Sequence, residues 1–231
     1  MSGIAENLAT IRRKMMQSAL RAGRNPDHIQ LVAVSKTVGV EGIRQAWQSG
    51  ITDFGENRVQ DLVAKQRELP QARWHMIGHL QTNKVKDVIG RTVLIHSLDR
   101  WELAEYIERR AERDKIVVQT LLQVNVSGEI SKGGVKPSEV SDFLHAIDNF
   151  RFVRVEGLMT MAPETDDPEE TRPVFKEMRR LFDAIRGQEF GRVRMKYLSM
   201  GMTQDFEVAI EEGANMIRVG RALFDMDDKE G

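Results

Sequence analysis

The chain is 231 residues long and has 34 Lys+Arg against 35 Asp+Glu, which gives a formal net charge of -1. That balance excludes the basic footprint by which proteins bind nucleic acid or anionic membranes. With Cys at 0, the sequence has no disulfide, no thiolate metal ligand and no cysteine nucleophile. Neither a signal peptide nor an uninterrupted apolar run of about 18 residues is present, so we expect a soluble, cytoplasmic protein without nucleic-acid or membrane partners.

The first segment is predicted to be an amphipathic helix, because Ile4, Leu8, Ile11 and Met15 recur at helical spacing. After it, short apolar runs of β type alternate with amphipathic helical patterns. The predicted strands are 30–35, 52–55, 73–78, 92–98, 115–126, 154–159, 196–201 and 216–220. The helix before the seventh strand has Asp167 as a capping candidate, with proline following in the first turn.

Eight strands alternating with helices predict a parallel sheet covered by helices. Runs such as LVAV and IVVQTLLQV lack strict polar alternation, which is typical of strands buried on both faces. Eight strands also close a (β/α)₈ TIM barrel; the alternative, an open doubly wound sheet, lacks its Gly-rich turn after the first strand. We therefore predict one α/β barrel domain over residues 1–231, in which the extra N-terminal helix fills the gap left by a short C-terminal segment.

The loops after the last two predicted strands have the composition of an anion site. They read SMGMT (199–203) and RVGRA (218–222). In such barrels the functional residues lie at the C-terminal ends of the strands, and these two loops often bind phosphate. Glycine lets backbone N–H groups approach an anion, and a hydroxyl adds a donor. We predict a phosphate site here, against the alternative that Gly201 and Gly220 only turn the chain.

Lys36 follows the first strand, with no acidic residue in the five positions before it or the four after it. A lysine is nucleophilic only when uncharged, and desolvation at a barrel mouth favours the uncharged form. Neighbouring strand residues point to opposite faces, so Ser35 is not expected to pair with Lys36. The pattern favours Schiff-base chemistry over serine hydrolysis; the alternative is a lysine that extends into solvent.

Two other charged or metal-binding patterns are weaker. His75 and His79 lie four residues apart, but in a strand-like stretch with Gly78 between them, so no metal site is predicted. Glu129 and Lys132 are interpreted as solvated loop charges, although Lys132 is able to approach the barrel mouth.

Seven motifs in order resemble the YggS-type pyridoxal-phosphate homeostasis protein family: LVAVSKT, FGENRVQ, WHMIGHLQTNK, QVNVSGEISKGG, GLMTMAP, LSMGMTQDFEVAI and MIRVGRALF. The resemblance covers nearly the whole chain. It implies an alanine-racemase-like barrel of fold type III that binds pyridoxal 5′-phosphate (PLP). It implies that Lys36 forms an aldimine with the cofactor, that Asn57 lines its ring and that Arg218 faces the pyridine nitrogen.

The resemblance also implies the residues of the phosphate site. They are Ser199, Met200, Gly201, Gly220 and Arg221. Arg221 is a departure, because a small hydroxyl residue is expected after the Val-Gly pair. Its guanidinium either reaches the phosphate or turns to solvent.

Two function classes follow from the resemblance. The first is a non-catalytic protein that stores PLP or delivers it to PLP-dependent apoenzymes; the second is a PLP-dependent amino-acid racemase. Two-base racemisation needs a second acid or base, for which Tyr106 and Tyr197 are the obvious candidates. Tyr106 is expected on an outer helix and Tyr197 one layer below Ser199. Racemases of this fold have an extra β-domain that helps complete the site, and this chain has no length for one. We therefore expect a cofactor holder with no catalytic residue, and a monomer. A cofactor-free lysine aldolase is a third, weaker alternative.

Overall fold

The computed structural model describes residues 3–129 and 132–225. Within them the strands are β1 Gln30–Val34, β2 Asp53–Glu56, β3 Arg73–Met76, β4 Leu94–Leu98, β5 Val118–Gln123, β6 Val153–Met159, β7 Val193–Ser199 and β8 Met216–Val219. The α-helices are α1 Gly3–Arg21, α2 Val40–Gln48, α3 Val59–Glu68, α4 Val85–Val88, α5 Trp101–Asp114, α6 Val140–Ile147, α7 Arg172–Arg186, α8 Phe206–Glu211 and α9 Arg221–Phe224. From β1 onwards, each strand is followed by one of these helices.

The strands form a closed parallel barrel in sequence order, in which β8 pairs with β1. In the register, Ala33 on β1 lies beside Phe54 on β2 and Val219 on β8. Parallel strands place all their C-terminal ends at the same end of the barrel. The (β/α)₈ prediction is confirmed, and the open sheet is excluded.

Two strands begin three residues away from their predicted starts, and the other starts agree within two residues. β5 begins at Val118 rather than at 115, because Lys115 takes a left-handed conformation, with φ of 53°, that ends α5. β7 begins at Val193 rather than at 196, and its early residues Arg194 and Lys196 are exposed. Charged side chains on a solvated face interrupt the apolar run, so the pattern underestimates the length of β7.

The N-terminal helix fills the gap beside the short C-terminal segment, as predicted. Ile4, Leu8, Ile11 and Met15 are buried. On the same helix, Asn7 Nδ2 donates to the carbonyl oxygens of Leu223, at 3.2 Å, and Asp225, at 3.2 Å. Because α9 has only four residues, α1 covers the gap that it leaves.

The predicted cap before the seventh strand is present. The Asp167 carboxylate accepts the Glu169 N–H at 3.0 Å, and Pro168 stands in the first turn. The cap begins a short 3₁₀ turn, and α7 follows directly after it. Among the described residues, no helix combines the length and apolar character needed to cross a membrane.

The barrel has one apolar layer outside its sheet and a second one inside. The outer layer joins strands to helices and includes the ring pair Phe54–Trp74, whose centroids are 5.4 Å apart. The inner layer is separate and comes from alternate strand positions: Val32, Leu94, Leu121, Met159 and Met216. Polar side chains also lie inside, among them His75 and His96, which are 1% and 0% exposed.

The two interior histidines are uncharged in the fold. Burial lowers the pKa of His75, although the adjacent Asp53 carboxylate opposes this effect. Burial lowers the pKa of His96 well below its usual value, with further lowering by His75 and Arg218. Both rings are therefore neutral near pH 7, while the unfolded chain takes up protons on them below about pH 6.5.

This difference predicts an acid-dependent loss of stability. Between pH 6 and pH 5 the unfolded state binds more protons than the folded state, so the free energy of unfolding falls as the pH falls. We expect a loss of about 1 kcal/mol from His96 over that interval, to which His75 adds. Urea denaturation at stepped pH values measures it. His96→Leu should reduce the pH slope by about one proton, and a flat profile in the unmodified protein would contradict the neutral histidine pair.

Candidate functional site

Two neighbouring cavities of about 450 and 430 Å³ open at the C-terminal ends of the strands. Volumes of this size are typical of small-molecule sites. Both cavities are lined by Val34, Lys36, Lys132, Met202 and Arg218. Residues from the ends of β1, β5, β7 and β8 therefore meet at one place, although they are far apart in the sequence.

Lys36 lies in the turn after β1, two residues beyond Val34 and on the same side of the chain, towards both cavities. It is exposed, so the prediction that its amine is desolvated is wrong in this structure: the turn places it at the open mouth. Ser35 points the other way, where its Oγ donates to Glu56 Oε1 at 2.7 Å. The expectation that Ser35 and Lys36 do not pair is confirmed.

A buried ion pair stands behind the Lys36 turn. Lys65 Nζ, on α3, donates to Glu56 Oε1 at 2.7 Å and to the carbonyl oxygen of Ser35 at 2.6 Å. Glu56 is fully buried, and Lys65 is 9% exposed. The pair fixes the peptide that precedes Lys36 and therefore the direction in which the lysine leaves the barrel wall. Nothing in the sequence indicates this pair, because α3 and β1 meet only in the fold.

Arg218 is a buried cation with defined partners. Its Nη1 donates to Ser199 Oγ at 2.6 Å, and its Nη2 donates to the carbonyl oxygen of Thr160 at 2.9 Å. Burial lowers the pKa of Arg218 to about 10, and the Asp205 carboxylate opposes that effect. The group remains charged at neutral pH. Both cavities therefore have a fixed positive charge in their wall.

Ser199 and Met200 are placed differently from the prediction. Both are fully buried, and neither lines either cavity. The Ser199 hydroxyl accepts from Arg218 and lies 3.3 Å from His96 Nδ1. Strand alternation turns this side chain into the barrel interior, so it does not face either cavity, where the phosphate prediction placed it. A hydroxyl that does line the first cavity is that of Thr203.

The two predicted glycines have different roles. Gly201 has φ of +92°, and a Cβ on it would lie 2.6 Å from the Ala209 Cβ, so glycine is required for packing against α8. Gly220 lines the first cavity, and a Cβ there would lie 3.0 Å from the carbonyl oxygen of Val34. Gly220 therefore packs closely against β1 at the wall of the first cavity, whereas Gly201 lies behind that wall.

The rest of the first cavity is partly acidic. Asp205 is buried and accepts the Met202 N–H at 2.6 Å. Burial raises the pKa of Asp205, while that hydrogen bond and the nearby Arg218 oppose the increase. Arg221 lines the cavity but is exposed, with its Nη2 3.8 Å from Glu164 Oε1. The sequence left open whether this guanidinium reaches the phosphate or turns to solvent. In the structure it is turned to solvent, at the rim of the cavity.

The second cavity adds amide and imidazole groups. His79, Asp99 and Lys132 line it, together with Asn57, the residue predicted to line the cofactor ring. His79 Nδ1 lies 2.9 Å from Asp99 Oδ2. His75 instead lies inside the barrel, bonded to Asp53, so the two histidines do not share a site. No group of three or more His, Asp or Glu in the described ranges is arranged to hold a metal ion.

The His79–Asp99 pair was missed by sequence analysis because its members follow different strands. Lys132, interpreted from the sequence as a loop charge, is half-buried and lines both cavities. Its carbonyl oxygen accepts from Gln123 Nε2 at 2.7 Å. Two residues of its loop, 130 and 131, lie outside the described residues. The only signal for these groups was their position at the C-terminal ends of predicted strands.

Known proteins match the chain over almost its whole length. The model of the family "Alanine racemase, N-terminal domain" matches residues 2–227. A pyridoxal phosphate homeostasis protein of Aquifex aeolicus is 44% identical, over 95% of this chain and 96% of its own length. The protein of that name from Pseudomonas aeruginosa is 36% identical, over 97% of this chain and 96% of its own.

Solved structures agree with this relationship. The structure of PipY from Synechococcus elongatus with PLP bound has a TM-score of 0.83 and 36% identity, covering 96% of this chain and 100% of PipY. D-threonine aldolase from Filomicrobium marinum, at 13% identity and a TM-score of 0.76, covers 96% of this chain and 60% of its own and shares the fold alone. The resemblance seen in the motifs is confirmed: the chain belongs to the alanine racemase N-terminal domain family and, within it, to the pyridoxal phosphate homeostasis proteins.

Proposed function

We propose that this chain, as one barrel domain, binds PLP at the C-terminal end of its barrel and acts in cofactor homeostasis as a holder. The observation on which this rests is that Lys36, Arg218 and Gly220 line the same cavity. The names of the Aquifex aeolicus and Pseudomonas aeruginosa relatives and the PLP bound in the PipY structure support the assignment.

The residues of the cavity fit this cofactor. When bound, PLP supplies an aldehyde that bonds to a primary amine and a phosphate that binds cations and N–H donors. Lys36 and Lys132 offer amines, and Arg218 and Arg221 offer positive charge. Gly220 places backbone at the wall of the same cavity. The cavity therefore offers an amine for the aldehyde of PLP and positive charge for its phosphate.

Each residue has a distinct role in this proposal. Lys36, exposed at the mouth, binds the aldehyde carbon. The Gly220–Arg221 turn, with the Thr203 hydroxyl, holds the phosphate, and Asn57 contacts the ring. Arg218 lies beside the ring nitrogen. Because its guanidinium donates hydrogen bonds and cannot accept a proton, Arg218 disfavours protonation of that nitrogen. An unprotonated ring withdraws electrons weakly, which suits holding rather than catalysis.

The tyrosines also favour a holder over a racemase. Tyr106 lies on α5 and is 37% exposed, while Tyr197 packs on the inner apolar layer beneath the site. Neither lines the two cavities. A second proton carrier would instead be His79, which lines the second cavity with Lys36 and is paired with Asp99. The holder is proposed to act as a monomer and to release PLP to PLP-dependent apoenzymes through the open mouth.

Trapping the cofactor tests this proposal. The purified protein is incubated with PLP, reduced with borohydride and digested with a protease. The masses of the peptides are then measured by mass spectrometry. We expect one phosphopyridoxyl group per chain, on the peptide that contains Lys36. A group found chiefly on the Lys132 peptide, or none on any peptide, would contradict the assignment.

A racemisation assay on the same preparation separates holder from enzyme. Free amino acids of one hand should show negligible conversion to the other. Rapid racemisation that is lost in both Lys36→Ala and His79→Gln would identify a two-base enzyme and contradict the holder, while leaving the cofactor site in place.

A further inference from the structure

A continuous line of polar side chains crosses the barrel interior from the N-terminal end of β2 to the cavity. Asp53 Oδ1 lies 2.9 Å from His75 Nε2, and His75 Nδ1 lies 2.9 Å from His96 Nε2. His96 Nδ1 is 3.3 Å from Ser199 Oγ, which accepts from Arg218 at 2.6 Å. Each of these residues is at most 5% exposed. We call the four residues Asp53, His75, His96 and Ser199 the interior chain.

The two ends determine the direction of every bond. Arginine has donors only, so the Ser199 oxygen must accept from Arg218 and its hydroxyl proton is free to go to His96 Nδ1. An ionised aspartate only accepts, so His75 must bear its proton on Nε2 and use Nδ1 as an acceptor. His96 then donates from Nε2 to His75. All donors and acceptors are satisfied when both rings are neutral with Nε2–H.

Charged groups around the chain agree with this arrangement. Asp53 also accepts from Gln30 at 2.6 Å, Thr52 at 2.7 Å and Arg73 at 2.9 Å. Burial alone would raise the pKa of Asp53, but hydrogen bonds from His75 and Thr52, with Arg73, lower it to about 2. Arg218 faces the other end, with Asp205 beyond it. The carboxylate therefore stays ionised, and neither ring is next to an unpaired negative charge.

We infer that the interior chain is a positioning device for Arg218, in which Asp53 sets the ring tautomers of His75 and His96 so that the Ser199 hydroxyl is held as the acceptor of the guanidinium. This inference rests on the proposed function, since the cofactor is what Arg218 is held against. None of the four residues lines the first cavity, so they act through Arg218 and not by touching the ligand.

Reversing the direction of the hydrogen bonds in the interior chain shows why the Asp53 carboxylate is needed. In Asp53→Asn the amide is able to donate to His75 Nε2, and both rings can then move their protons to Nδ1. Ser199 would receive two donors, from Arg218 and His96, and its own proton would be buried without an acceptor. A buried unsatisfied donor is unfavourable, so Ser199 and Arg218 must shift.

The first experiment uses the unmodified protein without cofactor. Ring nitrogens are observed by ¹⁵N NMR after histidine labelling, with His75→Gln and His96→Asn for assignment. We expect both interior rings to be neutral with Nε2–H at pH 7. A protonated Nδ1 on either ring, or an imidazolium, would overturn the inference. This measurement needs no PLP, so a failure of the protein to bind cofactor would contradict the proposed function alone.

The second experiment follows PLP binding by visible titration in His96→Leu, His96→Asn and the exposed control His28→Leu. Loss of a hydrogen bond behind a charged group should weaken binding about tenfold in His96→Leu and shift the band of the bound cofactor. The amide oxygen of His96→Asn accepts the Ser199 proton and should restore the band; His28→Leu should change neither quantity. If His96→Leu lowers stability but leaves the PLP affinity and the absorption band of the bound cofactor unchanged, the interior chain only stabilises the fold and the inference is wrong.

Discussion

Lys36→Ala is expected to remove the borohydride-reducible attachment of PLP completely and to raise the dissociation constant by about 100-fold or more. The variant loses the amine that bonds the aldehyde, while the phosphate turn and Arg218 remain. Because Lys36 is exposed, the free energy of unfolding should change by no more than about 0.5 kcal/mol. Visible titration and urea denaturation measure the two quantities.

Lys132→Ala is the matched control for this experiment. Lys132 lines the same two cavities as Lys36 and has the same amine. Its removal should leave the reducible attachment intact and weaken affinity by a few-fold at most, since it contributes charge at one side of the site. Loss of attachment in Lys132→Ala with retention in Lys36→Ala would transfer the covalent role to the other lysine.

Lys65→Met is expected to lower the free energy of unfolding by about 3–5 kcal/mol. The substitution leaves the Glu56 carboxylate fully buried without its cation. Oε2 of Glu56 already has no hydrogen-bond partner in the described part of the chain, so the remaining oxygen cannot compensate. The Ser35 carbonyl also loses a donor. Urea or guanidinium denaturation at pH 7 measures the loss.

Two further variants separate unpairing from loss of packing. Lys86→Met, at an exposed lysine on α4, should change stability by no more than about 0.5 kcal/mol. The double variant Lys65→Met with Glu56→Gln removes both charges and should recover much of the loss. If the double variant is as unstable as Lys65→Met alone, the ion pair is not the cause.

The sequence alone determined the barrel, and five of the eight site residues predicted from it line the two cavities. Apolar runs separated by helical patterns predict a parallel sheet with both faces covered. The count of eight strands and the absence of a Gly-rich turn after the first strand favour the closed form. Once the strands are placed, their C-terminal ends must meet at one end of the barrel. That geometry brings Lys36 and the 218–222 loop to one end of the barrel, and the motif resemblance adds Asn57 and the roles of Arg218, Gly220 and Arg221.

The tertiary structure alone decided where Ser199 points and what holds Arg218. Hydrogen-bonded neighbours in the interior chain are far apart in the sequence. His75 and His96 are 21 residues apart, and His96 and Ser199 are 103 residues apart. Periodicity indicates which residues face inwards, but it does not state which of the inward residues touch across the barrel. Those contacts depend on closure and register, because a hydrogen bond forms only when donor and acceptor come within about 3 Å of each other.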